Sequence, residues 1–225
     1  MKQILPGVYT FTGLPVGRVY LIEDPDGLTL IDTSVPPAAG SILKQIQSAG
    51  HKPQDIKRIL ITHGHPDHTG SLAKIKHESG AQVIASEIER PVIEGKIPVP
   101  VRLKGFHPPK TMLRAAQVDR TVVDSEMLPE VMGGLQVVFT PGHAPGHISF
   151  WQPQKRVLFT GDVIFNLPRL TLPWAFLTVD MEEDKRSIKK LVELNASVVC
   201  FGHGQPITEN ASEKLRAFAV KVGAM

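Results

Sequence analysis

Short apolar runs separated by turn residues organise the first third of the chain. Residues 7–12, 18–23 and 28–32 read as strands, divided by glycines and by the turn signal Asp24-Pro25-Asp26-Gly27. Residues 36–49 read as a helix with Ile42, Leu43 and Ile46 on one face and Gly50 as its stop. A buried strand over 57–62 runs directly into His63-Gly64-His65-Pro66-Asp67-His68, and a helix over about 71–79 and a strand over 82–85 follow. Residues 91–109 carry Pro91, Pro98, Pro100, Pro108 and Pro109, so an irregular cover segment is expected there.

The pattern then resumes. Strands are expected over 120–124, 135–140, 147–152 and 156–160, then a hydrophobic loop over 163–179. A helix over about 182–194, a strand over 197–201 and a helix over about 209–222 complete the chain. Two similar runs of strands and helices imply two β-sheets packed together with helices outside.

Composition narrows this picture. At 225 residues, 42% hydrophobic and 21% charged, the chain suits one compact domain over residues 1–225, with two small fused halves as the other division. The N-terminal apolar run is broken by Pro6 and Gly7, so neither a secretory leader nor a membrane span is expected. Cys200 is the one cysteine, which excludes an intramolecular disulfide and makes the cytoplasm the expected compartment. The formal charge of +3 is small. Lys185, Arg186, Lys189 and Lys190 share a helix with Glu182, Glu183 and Asp184, which reads as a solvated face and not a nucleic-acid patch.

Histidine changes the picture most. In H-x-H-x-D-H, His63 and His65 lie two apart, so extended backbone points both imidazoles to one side. Asp67 and His68 follow as the chain turns toward a helix and can aim at a second point nearby. His143 in TPGHAPGH, Asp162 in LFTGD and His203 in FGHG each follow a β-like run in a glycine-containing turn, where they can converge. Imidazole and carboxylate together suit zinc, with iron or manganese as alternatives. Two such ions would make a bridging water acidic enough to serve as hydroxide, with Asp67 orienting it or carrying its proton.

In its order H-x-H-x-D-H, His143, Asp162, His203, the chain resembles the metallo-β-lactamase superfamily, from Val8 to the last helix. The resemblance implies an α+β fold, a four-layer αββα sandwich. It implies one divalent ion on His63, His65 and His143, a second on Asp67, His68 and His203, and Asp162 between them. Asp32 matches the superfamily's early strand-end Asp and is expected to orient a metal-bound histidine. The expected activity is hydrolysis of a small-molecule ester, lactone or thioester by a metal-bridging hydroxide. An iron-dependent persulfide dioxygenase of the same fold and a β-lactamase-like amide hydrolase are the alternatives.

Departures from familiar branches bear on substrate. Glyoxalase II-like thioesterases carry a further helical domain, whereas only residues 204–225 follow His203. Acyl-homoserine lactonases usually place a tyrosine three residues after the bridging Asp, where this chain has Phe165. Phe165, Trp174 and His107 are candidate substrate contacts, although the 163–179 loop suits core packing or a homodimer contact equally well. His147 is expected to be structural, and Cys200 to be a buried strand residue.

Overall fold

The computed structural model describes residues 1–103, 112 and 114–225. The first sheet runs in the order β1 (Lys2–Leu5), β2 (Val8–Thr10), β3 (Tyr20–Asp24), β4 (Gly27–Ile31), β5 (Ile56–Leu60), β6 (Gln82–Ser86) and β7 (Arg120–Val122). Its first four strands are antiparallel, and β4 to β7 are parallel. The parallel half needs crossovers, which α1 (Ala38–Ser48) and α3 (Leu72–Ser79) supply. The second sheet is ordered β14 (Val198–Cys200), β11 (Val157–Phe159), β10 (Ile148–Gln152), β9 (Leu135–Phe139) and β8 (Met127–Leu128).

Period-two alternation sorts the side chains into layers. Tyr20, Ile22, Ile31, Leu60 and Ile84 point inward and meet Val137, Ile148, Phe150, Val157, Phe159 and Cys200 of the second sheet. The alternate residues Leu21, Leu30, Ile59 and Val83 face outward onto Ile42 and Ile46 of α1 and Leu72 and Ile75 of α3. On the far side Val138, Trp151, Leu158 and Val199 pack on Ile188 and Leu191 of α5 (Met181–Glu193) and Leu215 and Phe218 of α6 (Ala211–Lys221). These are the four layers of an αββα sandwich. No helix among the described residues is long and apolar enough to cross a membrane.

Three local features depart from the sequence pattern. The 163–179 stretch is not a plain loop, because β12 (Phe165–Asn166) and β13 (Leu170–Thr171) pair as a small hairpin. The proline-rich segment opens with one helical turn, α4 (Arg90–Ile93), whose Pro91 sits in the first turn, where a missing N–H costs nothing. α5 starts one residue early because the Asp180 side chain accepts from the N–H groups of Glu182 and Glu183.

Candidate metal centre

Strand ends deliver the site. His63 follows β5, His65 precedes the helical turn α2 (Pro66–Thr69) that carries Asp67 and His68, and His143 lies between β9 and β10. Asp162 and His203 follow β11 and β14, which are parallel neighbours, so their ends fall side by side. The chain thereby gathers two groups, His63, His65 and His143, and Asp67, His68, Asp162 and His203, the candidate ligand atoms within each lying within 4.8 Å of one another.

The spacings are those of ligands around small ions. His143 Nε2 is 3.0 Å from His65 Nδ1 and 3.5 Å from Asp162 Oδ2. In the other group Asp67 Oδ2 lies 3.1 Å from His203 Nε2 and 3.7 Å from His68 Nε2. Neighbouring donors on a tetrahedron with a Zn–N length of about 2.0–2.1 Å sit about 3.3 Å apart. Asp162 stands between the groups, its Oδ1 3.3 Å from His68 Nε2 and its Oδ2 3.2 Å from His203 Nε2 and 3.9 Å from His63 Nε2.

The far side of each ring fixes its tautomer. His68 Nδ1–H donates to Asp32 Oδ2 at 2.8 Å, and Thr62 donates its N–H and its hydroxyl to the same carboxylate at 2.9 and 2.8 Å. With its proton committed to Asp32, the Thr62 hydroxyl oxygen accepts from His63 Nδ1–H at 3.0 Å. Likewise the Thr178 hydroxyl donates to the Trp174 carbonyl and accepts from His143 Nδ1–H at 3.2 Å. The Nε2 lone pairs of His63, His68 and His143 are thus turned into the site.

Those inward atoms test whether metal fits. His63 Nε2, His68 Nε2 and Asp162 Oδ1 are buried without a hydrogen-bond partner. Buried polar atoms left unpaired cost about 1–3 kcal/mol each, and converging lone pairs repel. Divalent cations at the two foci satisfy these atoms together, so the donor set fits. Without metal, the protons on His68 and His203 stand in for the second cation: despite burial, His68 and a hydrogen bond from His203 hold the Asp67 carboxyl down at about 2. Burial depresses His63 and His143 well below the ordinary histidine range, keeping them neutral as ligands must be.

Asp32 therefore lies where the sequence put it, as the acceptor behind His68. His147 has the structural role expected. Its Nδ1 is 2.9 Å from the Thr140 hydroxyl, and its Nε2 accepts the Asp162 backbone N–H at 3.0 Å, which fixes that turn. Cys200 is buried in β14. Phe165 is buried against His203 with ring centroids 4.5 Å apart, and Trp174, 47% exposed, lies 6.0 Å from His203. The 163–179 stretch thus divides: Val163, Ile164 and Phe165 are core, while Leu167, Trp174 and Phe176 face outward. His107 lies outside the described residues.

Sequence reasoning missed Glu89, Thr178 and Asp184. Buried Glu89 accepts the N–H groups of Gly64 and Gly146, both at 2.8 Å, and so ties the His63–His65 loop to the His143 loop. Asp184, expected on a solvated face, is fully buried. α5 packs directly on Gly142, where a Cβ would lie 2.3 Å from the Asp184 nitrogen.

Comparison with known proteins identifies the family and the fold. The Metallo-beta-lactamase superfamily model matches residues 12–203. The chain is 29% identical over 230 residues to "Probable metallo-hydrolase YflN" of Bacillus subtilis, covering 90% of this chain and 85% of that protein. It is 30% identical over 185 residues to the hydroxyacylglutathione hydrolase GloC of Haemophilus influenzae, covering 80% of this chain and 83% of that protein. Among solved structures, a metallo-β-lactamase family protein of Thermus thermophilus superposes with a TM-score of 0.76 at 26% identity, covering 99% of this chain and 81% of that one. The subclass B3 metallo-β-lactamase BJP-1 of Bradyrhizobium japonicum gives 0.75 at 29% identity, with 98% and 89% covered. Fold, clustered donors and the match over residues 12–203 lead to one conclusion: the chain belongs to the metallo-β-lactamase superfamily.

Proposed function

We propose that this metal-dependent hydrolase holds two divalent ions, zinc by the chemistry of its donors, and cleaves an ester, thioester or lactone of a small molecule. The observation that carries the reading is Asp162, whose two oxygens face both donor groups. His63, His65 and His143 would hold one ion, and Asp67, His68 and His203 the other, with Asp162 shared. When bound, such ions supply Lewis acidity and an activated water at neutral pH.

The protein's own groups supply the rest. Asp32, Thr62 and Thr178 keep the histidine lone pairs directed inward. Asp67 is the most exposed of the second group, its side chain 22% accessible against 6% for His203. It stays ionised at neutral pH, where it can orient water. Phe165 and Trp174 form an aromatic wall beside His203 that shields the reacting centre from bulk water.

Likeness to YflN supports metal-dependent hydrolysis, and likeness to the hydroxyacylglutathione hydrolase GloC supports acyl chemistry on a small molecule. A cytoplasmic location is part of the proposal, supported by a lone buried Cys200 that needs no oxidising compartment. So is a small-molecule partner in place of nucleic acid, supported by the ion pairs that occupy Lys185, Arg186 and Lys190. A homodimer through the outward Leu167, Trp174 and Phe176 is a further element, which the scattering mass in solution tests.

Zinc-loaded protein is expected to carry two ions per chain and to hydrolyse at least one ester, thioester or lactone in a panel that includes a β-lactam and a phosphodiester. Asp162→Ala and His65→Ala should abolish that activity. Full occupancy without turnover of any ester, thioester or lactone would overturn the reading. One iron per chain with oxygen-dependent turnover of a persulfide would replace it with the dioxygenase.

A further inference from the structure

Beside His203 the surface opens into a cavity of about 520 Å³, walled by the 12–18 loop on one side and by Leu167 and Trp174 on the other. That volume is in the range that holds small ligands. The loop is fastened to the metal centre at two points. Gly17 presses on Asp67 so closely that a Cβ would lie 2.0 Å from the Asp67 carbonyl oxygen, and Arg18 N–H donates to the Gly202 carbonyl at 2.8 Å. A ligand in the cavity therefore lies against His203 of the second donor group.

The charge of this wall is one-sided. Arg18 and Lys2 line it, together with the amide of Gln205, and among the described residues no carboxylate does. Arg58, Arg90, Arg120 and Arg186 each face a carboxylate of the protein. Arg18 is half-buried as a residue, and its guanidinium, open to solvent, has no hydrogen bond or ion pair among the described residues. A guanidinium carries five N–H donors in a planar fork that matches a carboxylate. Around it Val16, Leu167 and Trp174 are 37%, 44% and 47% exposed, which suits a short apolar chain between the reacting carbonyl and the anion.

We propose that Arg18 anchors a carboxylate of the substrate, so that the enzyme takes esters or thioesters of an acyl group bearing a second, ionised carboxyl in preference to their neutral counterparts. Turnover rests on the hydrolase reading above, but binding of the anion does not. Two measurements separate them. The first compares kcat/KM of the zinc-loaded enzyme for mono-4-nitrophenyl glutarate and 4-nitrophenyl valerate. The anionic ester should be preferred roughly ten- to hundredfold, mainly through KM, as expected for a charge-assisted pair. Arg18→Gln should collapse the ratio, and Arg18→Lys, which keeps the charge without the fork, should keep part of it.

The second is calorimetric titration with glutarate, which should bind the zinc-loaded wild type at least tenfold more tightly than Arg18→Gln. Equal binding overturns the anchor whether or not either ester is cleaved. Turnover of both esters without preference, or a preference that survives Arg18→Gln, also overturns it while leaving the hydrolase reading intact. Arg18-dependent glutarate binding with neither ester cleaved supports the anchor and counts against the hydrolase reading.

Discussion

The Asp32 carboxylate accepts the Nδ1–H of His68 at 2.8 Å in a fully enclosed setting, with both side chains buried. Asp32 also sits at φ 60°, a left-handed conformation that asparagine tolerates better than most residues. Asp32→Asn therefore changes charge and hydrogen bonding without adding backbone strain. The expected outcome is a loss of roughly 10–100-fold in zinc affinity at the Asp67–His68–His203 group. The His63–His65–His143 group, tied to Asp32 only through the Thr62 hydroxyl behind His63, should lose less, so competition with a chromophoric chelator should resolve two release steps. Two unchanged steps would contradict this role for Asp32.

Glu89 clamps two loops through their backbones. Gly64 and Gly146 donate to its two oxygens, and neither glycine has room for a Cβ: at Gly64 it would lie 2.6 Å from Val92, and at Gly146 2.6 Å from Ile88. Glu89→Ala leaves both N–H groups buried and unpaired, which should cost about 2–5 kcal/mol. Glu89→Gln keeps one acceptor but turns a second donor toward an N–H, so about 1–3 kcal/mol is expected. Urea unfolding of the metal-free protein reads both effects. A wild-type midpoint for Glu89→Ala would show that the loops hold their positions without the clamp.

What was legible in the sequence was local. H-x-H-x-D-H lies on one turn, and Asp162 and His203 each betray themselves by a short glycine turn after an apolar run. Glu89 and Thr178 act across 25 to 57 residues of chain through a backbone N–H or a hydroxyl, which leaves no spacing to read. Asp184 misled for a physical reason. Carboxylates belong near helix N-termini in water as well as in a core, and its burial depends on Gly142 letting α5 approach. The layers were readable because strands alternate, whereas the β12–β13 hairpin was hidden by consecutive buried residues Val163, Ile164 and Phe165.

Gly202 is required by space. A Cβ there would lie 1.9 Å from Asp162 Oδ1 and 3.0 Å from His68 Cε1. Gly202→Ala must push the shared carboxylate away from its place between the two groups. Elemental analysis after dialysis should show at least one ion per chain lost relative to wild type. Gly40→Ala is the contrasting change: it lies in α1 with nothing within 4 Å of the added Cβ. Helix propensity predicts that it stabilises by about 0.5–1 kcal/mol. If Gly202→Ala retained full metal, the contact would have relaxed elsewhere.

The metal-free protein should lose stability as pH rises from 6.5 to 9, and three groups give the sign. Burial opposes the charge on His203, but Asp162 and hydrogen bonds to Asp162 and Asp67 prevail and carry its pKa up to about 9. His68 is likewise raised well above its ordinary value, because Asp162, Asp32 and Asp67 outweigh burial. Burial and then the charge of Asp162 push the Asp184 carboxyl up to about 8, against the His143 backbone N–H. In each case the folded chain binds its proton more tightly than the unfolded chain does. For His203 the stabilisation is complete below about pH 6.5, the ordinary histidine value, and is lost as pH rises through about 9. For Asp184 it is complete below the ordinary carboxylate value and is spent by about pH 8. The buried histidines with lowered values, His63, His65, His143 and His147 (the last at about 3), act in the other direction. Their contribution is present above the ordinary histidine value and is lost only as pH falls below it. Zinc takes the place of the protons on His68 and His203, so its uptake near pH 7 should release protons, and the zinc-induced rise in Tm should grow across the same window. Melting of metal-free and zinc-loaded protein at half-unit steps from pH 6.5 to 9 checks both trends, and Asp184→Asn should flatten the portion below about pH 8. A metal-free Tm that holds level or climbs over this range would contradict the proton-holding arrangement around Asp162.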